Sequence, residues 1–280
     1  MYIVENEQKT SKSRSGYIIK TMVMNKTQEK NFPVTGRVIA VWGSPSSGKT
    51  TLCAVLAKQF ARKNRNVLLL SFDTCVPALP IWFPHTEPKG SIGSLLTSLT
   101  LTAGDIADKI TLYPRDERIG VLAAVREENL VTYPEIGKDM VYRLLDAAKK
   151  LCEYIIVDCN SNFMFDMLSL IALERADAVI RLQTPDARGM LYHASQLAVL
   201  DGEIFNTGRH VKVCNLVKEY HPLEETANAA GGFDAVLPFN EELESKYLTG
   251  KLFEEFYTRK GKEYVKSCNK LLSMVKGSGF

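Results

Sequence analysis

Short apolar runs alternate with stretches of helical period along most of this chain. The runs that read as strands are 37–42, 67–72, 110–113, 154–158, 178–182, 211–215 and 235–237. Helical spacing of apolar positions is found over 49–63, 91–99, 135–151, 163–175, 187–204, 241–248 and 263–276. Several of the strand runs are almost wholly apolar, as in Val67-Leu68-Leu69-Leu70. A strand apolar at nearly every position is buried on both faces, so the pattern predicts an α/β protein with a mostly parallel sheet covered by helices on both faces. In such a sheet, ligands bind at the carboxyl ends of the strands.

Two regions fall outside this alternation. Residues 1–33 are polar apart from a strand-like run at 17–24, and the first 15 read as a loose arm. The stretch from Thr74 to Gly90 has Pro77, Pro80, Pro84 and Pro88 with Trp82, Phe83 and His85. A loop of that length is usually functional. Its aromatics either form a lid or partner patch, or pin the loop to the core. No internal repeat or low-complexity linker interrupts the remainder, so the reading is a basic arm at 1–33 followed by one domain at 34–280.

Composition narrows this only a little. Hydrophobic residues make up 45% and charged residues 24% of the 280, ordinary values for a chain with a sizeable core. No apolar run approaches the ~20 residues that span a bilayer. The N-terminal residues lack the basic-then-apolar plan of a secretion signal. The six cysteines are scattered without a C-x-x-C pair, five of them in apolar surroundings, which fits a reduced cytoplasmic protein. The four histidines (85, 193, 210, 221) have no metal-ligand spacing.

Charge is unevenly placed. The net charge is +3, yet residues 1–30 hold six Lys/Arg against three Glu, and residues 246–280 hold eight against three. The middle is therefore acidic. Basic ends on an acidic centre suit nonspecific contact with DNA or an anionic membrane surface, or else are solvated tails.

The chemistry is concentrated at Gly43-Ser44-Pro45-Ser46-Ser47-Gly48-Lys49-Thr50, followed by Thr51. This fits G-x-x-x-x-G-K-[ST] at every fixed position, between a predicted strand and a predicted helix. That order sets a row of backbone N–H groups at a helix N-terminus, where polyphosphate is stabilised. Lys49 is then placed for the β- and γ-phosphates, and the Thr50 hydroxyl for Mg²⁺. Hydrolysis also needs a carboxylate near the metal and a group to orient water. Asp158 ends the apolar run 154–157 in the manner of a Walker B strand, and Asp73 closes 67–72. The alternative for either is an Asp in a turn, capping the next helix.

Together these motifs resemble the ParA/MinD family of phosphate-loop ATPases, which dimerise around ATP and position cellular cargo. The family's second strand ends D-x-D; here that reads Ser71-Phe72-Asp73, with Asp73 on the Asp that orients the catalytic water. Further landmarks match at 152–158, at 176–185, at 211–215 and at 237–240. Asn215 falls on the family's adenine-contacting Asn, and Pro238 on the following loop. The resemblance covers about 35–277. It implies ATP/ADP and Mg²⁺ as ligands, and in-line attack of water with Lys49, Asp73 and Asp158 as catalytic residues. It also implies an ATP-dependent homodimer with a protein partner in a positioning system, at a cytoplasmic location peripheral to membrane or nucleoid.

The loop departs from the family's K-G-G-x-G-K-[ST]. Ser44 stands where the first Lys reaches the partner's ATP, and Pro45 and Ser46 replace two glycines. This predicts nucleotide binding with slow hydrolysis. Variant loops also occur in the pilus-localising TadZ/CpaE branch, although residues 1–36 are too few for that branch's receiver-like domain. The competing readings are a catalytically weak nucleotide-binding scaffold and a small-molecule phosphotransferase. An amphipathic segment at 264–276 is either a terminal helix packed on the sheet or a membrane-binding helix like that of MinD-type proteins.

Overall fold

The computed structural model describes residues 36–275, apart from 99, 127, 129–131, 133–134 and 201–202. The arm at 1–33, with its strand-like run at 17–24, lies outside the described residues. In chain order the elements are β1 (Arg37–Gly43), α1 (Lys49–Arg62), β2 (Val67–Ser71), α2 (Leu79–Trp82), α3 (Ile92–Leu96), α4 (Ala103–Lys109), β3 (Thr111–Leu112) and β4 (Ile119–Leu122). Then follow α5 (Lys138–Ala148), β5 (Tyr154–Asp158), α6 (Met167–Arg175), β6 (Ala178–Gln183), α7 (Ala187–Leu200) and β7 (His210–Val217). The chain continues with α8 (Leu223–Ala229), β8 (Ala235–Pro238), α9 (Glu241–Leu248) and α10 (Arg259–Val275).

One eight-stranded sheet runs β3-β4-β2-β5-β1-β6-β7-β8. Every neighbouring pair is parallel except β3 with β4. The reason is visible within β1. Ile39 and Val41 face one core with α1 and α10, whereas Val38, Ala40 and Trp42 face a second core with α5 and α6. Both faces of the strand are apolar and both are covered, as a buried parallel strand requires.

Several element boundaries differ from the sequence reading. The run at 110–113 is a two-residue antiparallel strand at the sheet edge, and β4 at Ile119–Leu122 is a strand that reading lacked. Gly120 disguised it. A Cβ there would sit 2.6 Å from Ile110 Cγ2, so close packing of β3 on β4 demands glycine. Helix α4 was also unread, although Thr102 and Asp105 form a full capping box at its start. The unassigned stretch 74–90 contains the single turn α2, and Trp82 and Phe83 are buried. Of its two readings, anchorage to the core is the one observed.

Helix α10 starts four residues earlier than predicted, at Arg259. Its stripe of Tyr264, Cys268, Leu271, Leu272 and Val275 is wholly buried in the core with α1. The apolar face that would enter a bilayer is therefore spent on packing. No helix among the described residues is long and apolar enough to cross a membrane.

Candidate functional site

The phosphate loop leaves the carboxyl end of β1 in the middle of the sheet, between β5 and β6. Two glycines make its path possible. A Cβ on Gly43 would lie 2.1 Å from the Leu182 carbonyl oxygen of β6. Gly48 has φ +86°, a left-handed conformation that costs other residues, and its Cα faces the Asn215 amide. Gly48 also stands as N-cap of α1 with no side-chain cap, and no acidic residue occupies the first turn. The amides there have no side-chain competitor for an anion.

Three candidate residues meet at the loop. Thr50 Oγ1 donates to Asp158 Oδ2 at 2.7 Å. Lys49 Nζ donates to Ser161 Oγ at 2.6 Å, with longer contacts to the carbonyls of Ser44 and Gly43 at 3.4 and 3.5 Å. Asp158 arrives because its register pairs it with Val41 of β1 on one side and Ser71 of β2 on the other. It is 1% exposed. Burial raises its carboxyl to about 7, against the opposing pull of the Thr50 hydrogen bond and the Lys49 charge. Burial likewise lowers the Lys49 pKa, while Asp158 and then Asp73 hold it up. A divalent cation would favour the ionised carboxylate.

Asp73 is at the same end of the sheet, two residues past β2. Its Oδ1 accepts from the Cys75 and Val76 amides at 3.0 and 3.3 Å, and the Asn160 amide group lies 3.5 Å away. Asp73 thus sits in a turn but caps no helix, because α2 starts after Ala78 without a side-chain cap, and it lines the cavity beside the loop. Among the described residues no group of three or more His, Cys, Asp or Glu could cage a metal. A metal held by Thr50 and Asp158 therefore needs further oxygens, such as those of phosphate.

A cavity of about 420 Å³ opens beside these groups. Its walls include Ser46, Gly48, Lys49, Thr50, Thr51 and Asp73, and, from the β7 and β8 ends, Asn215 and Pro238. Gly43, Ser44, Ser47 and Asp158 are buried beneath it, and Pro45 is exposed at the loop tip. Asn215 is 2% exposed; its Nδ2 donates to the Ser47 carbonyl at 2.7 Å, which fixes its amide and leaves Oδ1 with no partner. Ser44 Oγ, Ser47 Oγ, Ser71 Oγ and Asp158 Oδ1 are also buried without partners. Among the described residues eleven buried side-chain polar atoms lack a partner, and these five of them gather around one loop, beside the cavity.

Sequence reasoning missed three neighbours. Trp82 donates its indole N–H to the Thr50 carbonyl at 2.9 Å, tying the 74–90 segment to α1. Ser161 holds Lys49, and Trp42 donates to the Ser161 carbonyl at 3.0 Å. Their signal was position alone: Trp42 precedes the loop and Ser161 lies three residues past Asp158. His193 takes no part; its Nε2 contacts the Leu182 carbonyl, and burial lowers its pKa to about 4.

A largely parallel sheet with a strand–loop–helix phosphate cradle at its centre defines the phosphate-loop NTPase fold. Its particular form here is that of the ParA/MinD ATPases. The ParA family ATPase from Chlorobium tepidum matches with a TM-score of 0.70 and 15% identity, over 85% of this chain and 99% of that one. The cell division ATPase MinD of Pyrococcus furiosus matches at 0.65 and 17%, over 85% and 99%. The septum site-determining protein MinD of Pyrococcus horikoshii, complexed with Mg-ADP, matches at 0.63 and 17%, over 87% and 99%. No protein-family model and no curated protein matches the sequence.

Proposed function

We infer that this chain is a Mg²⁺-ATP-binding, slowly hydrolysing ATPase of the ParA/MinD type, acting as a nucleotide-dependent dimeric switch that positions cellular cargo. The observation that carries the inference is the set of buried, unpartnered polar atoms around the loop. Each unmet group costs about 1–3 kcal/mol. A magnesium nucleotide in the cavity would offer partners of the right kind. Phosphate oxygens would accept from the serine hydroxyls and loop amides, and Thr50 Oγ1 and Asp158 would hold the metal. The Asn215 Oδ1 acceptor suits the amino group of adenine, whereas guanine would turn a carbonyl oxygen towards it. Mg-ADP bound to a MinD of the same fold supports this ligand class.

In the reaction, Lys49 neutralises the β- and γ-phosphates, and Asp73 orients the attacking water for in-line displacement. The divalent ion, when bound, offsets charge on the phosphates. Ser44, at the place of the family's trans-acting lysine, is buried and uncharged, so transition-state charge receives less help and turnover is slow. The same residue favours the second reading, a scaffold that binds nucleotide without turning it over. Cargo of this type would be a DNA element, a pilus or secretion machine, or a conjugation apparatus. A protein partner would read the dimer, at a membrane or nucleoid surface.

Light scattering on nucleotide-free, Mg-ADP and Mg-ATP samples, with phosphate release followed in the same tubes, tests it. A doubled mass in Mg-ATP alone, with slow phosphate release, is expected. One mass under all conditions and no phosphate would establish the scaffold instead.

A further inference from the structure

The Lys49 ammonium has three N–H donors, and three protein oxygens receive them: Ser161 Oγ at 2.6 Å and the carbonyls of Ser44 and Gly43 at 3.4 and 3.5 Å. The shortest of these contacts is the one made outside the phosphate loop. Ser161 is itself a junction. Its carbonyl accepts from Trp42 Nε1 at 3.0 Å and from the Tyr192 hydroxyl of α7. Trp42 meets the Tyr192 ring at 5.7 Å and packs edge-on against Phe163 at 5.2 Å. Phe163 begins the short 3₁₀ turn Phe163–Phe165, which presents Met164 at 45% and Phe165 at 80% exposure. On α7, Leu191 beside Tyr192 is 71% exposed. A hydrogen-bonded and packed chain therefore joins the ammonium of the phosphate loop to two other elements that each present exposed apolar residues.

We propose that Ser161 competes with phosphate for Lys49, and that its release is how nucleotide occupancy is reported to the 163–165 turn and to α7. This deepens the nucleotide-binding reading and rests on it. A phosphate oxygen needs one of the three N–H groups. Taking it from Ser161 unties the loop after β5, because one of the bonds that fix that residue is then gone. The Trp42 indole, bonded to the same residue, senses the change. Ser161 is thus a positioning residue: in one state it holds the cation, and in the other it is free to re-aim the turn. A ligand can shift such an equilibrium only by its differential interaction with the two states, and here that difference is the hydrogen bond to Ser161.

The test compares the full chain with Ser161→Ala and Ser161→Thr, titrated with Mg-ATP in a calorimeter. Emission of Trp42 is followed in a Trp82→Phe background, which leaves one of the chain's two tryptophans. Removing a competing hydrogen bond to a charged group should tighten Mg-ATP binding about tenfold in Ser161→Ala. Ser161→Thr, which keeps the hydroxyl, should return it towards the wild-type value. Trp42 emission should change on adding Mg-ATP to the wild-type residue and change less in Ser161→Ala. Equal or weaker affinity in Ser161→Ala with an unaltered melting temperature, or Trp42 emission indifferent to Mg-ATP while heat shows binding, overturns the proposal and leaves nucleotide binding standing. No binding heat in the wild type overturns both.

Discussion

Helix α10 and the phosphate loop both contact the α1 layer, and both are largely buried, but they are finished to different degrees. The α10 stripe of Tyr264, Cys268, Leu271, Leu272 and Val275 interlocks with α1 and the sheet. Around the loop, Ser44, Ser47, Asp158 and Asn215 each keep a buried polar atom with no partner, against the single Asn269 Oδ1 on α10. Burial of apolar surface stabilises the first region outright. In the second, burial of polar atoms costs stability that a bound ligand would recover. The contrast separates what holds this protein together from what it binds.

The contrast breaks most visibly by attacking the finished region. Leu271→Ala should cost about 2–5 kcal/mol of stability through its cavity, read as a lower urea midpoint. Mg-ATP affinity of the folded fraction should stay at the wild-type value. A weakened affinity would mean that α10 and the loop are one energetic unit.

A smaller effect sharpens the other side. The folded Asp158 carboxyl, at about 7, binds its proton more tightly than the usual carboxylate at 3.8. Its contribution to stability is therefore present at low pH and lost as pH rises from about 4 through 7. His193, with a folded value of about 4 against 6.5, acts in the opposite sense below 6.5. The difference between wild type and Asp158→Asn isolates the carboxyl. Without nucleotide, the variant should gain on the wild type as pH rises from 5 to 8, by urea midpoint. With Mg-ATP the order should reverse, because the amide is a poorer metal ligand. A pH-independent difference would mean that Asp158 is not a buried carboxylate under strain.

How far the sequence disclosed this depended on how local each signal was. The loop was legible because its glycines, Lys49 and Thr50 answer to backbone geometry and phosphate chemistry within eight consecutive residues. Asp158 was legible because an apolar strand leads straight into it. The sheet followed from the almost wholly apolar strands, but β4 was hidden by Gly120, whose reason is Ile110, the residue that ends α4 ten positions earlier. Asn215 and Pro238 came only through family resemblance, since nothing in their neighbours marks them; both line the cavity that Gly48 lines. Ser161, Trp42 and Trp82 could not be found by spacing, because their roles arise from contacts 32 to 119 residues apart in sequence.

If the incomplete region around Lys49 is a nucleotide site, Mg-ATP must bind there through that lysine. Calorimetric titration of the wild-type chain and of Lys49→Ala with Mg-ATP tests it most directly. Saturable binding in the wild type, weakened about 100-fold or more in the variant through loss of charge-assisted bonds to phosphate, is the expected result. Equal affinity in the two proteins, or no heat in either, would contradict it.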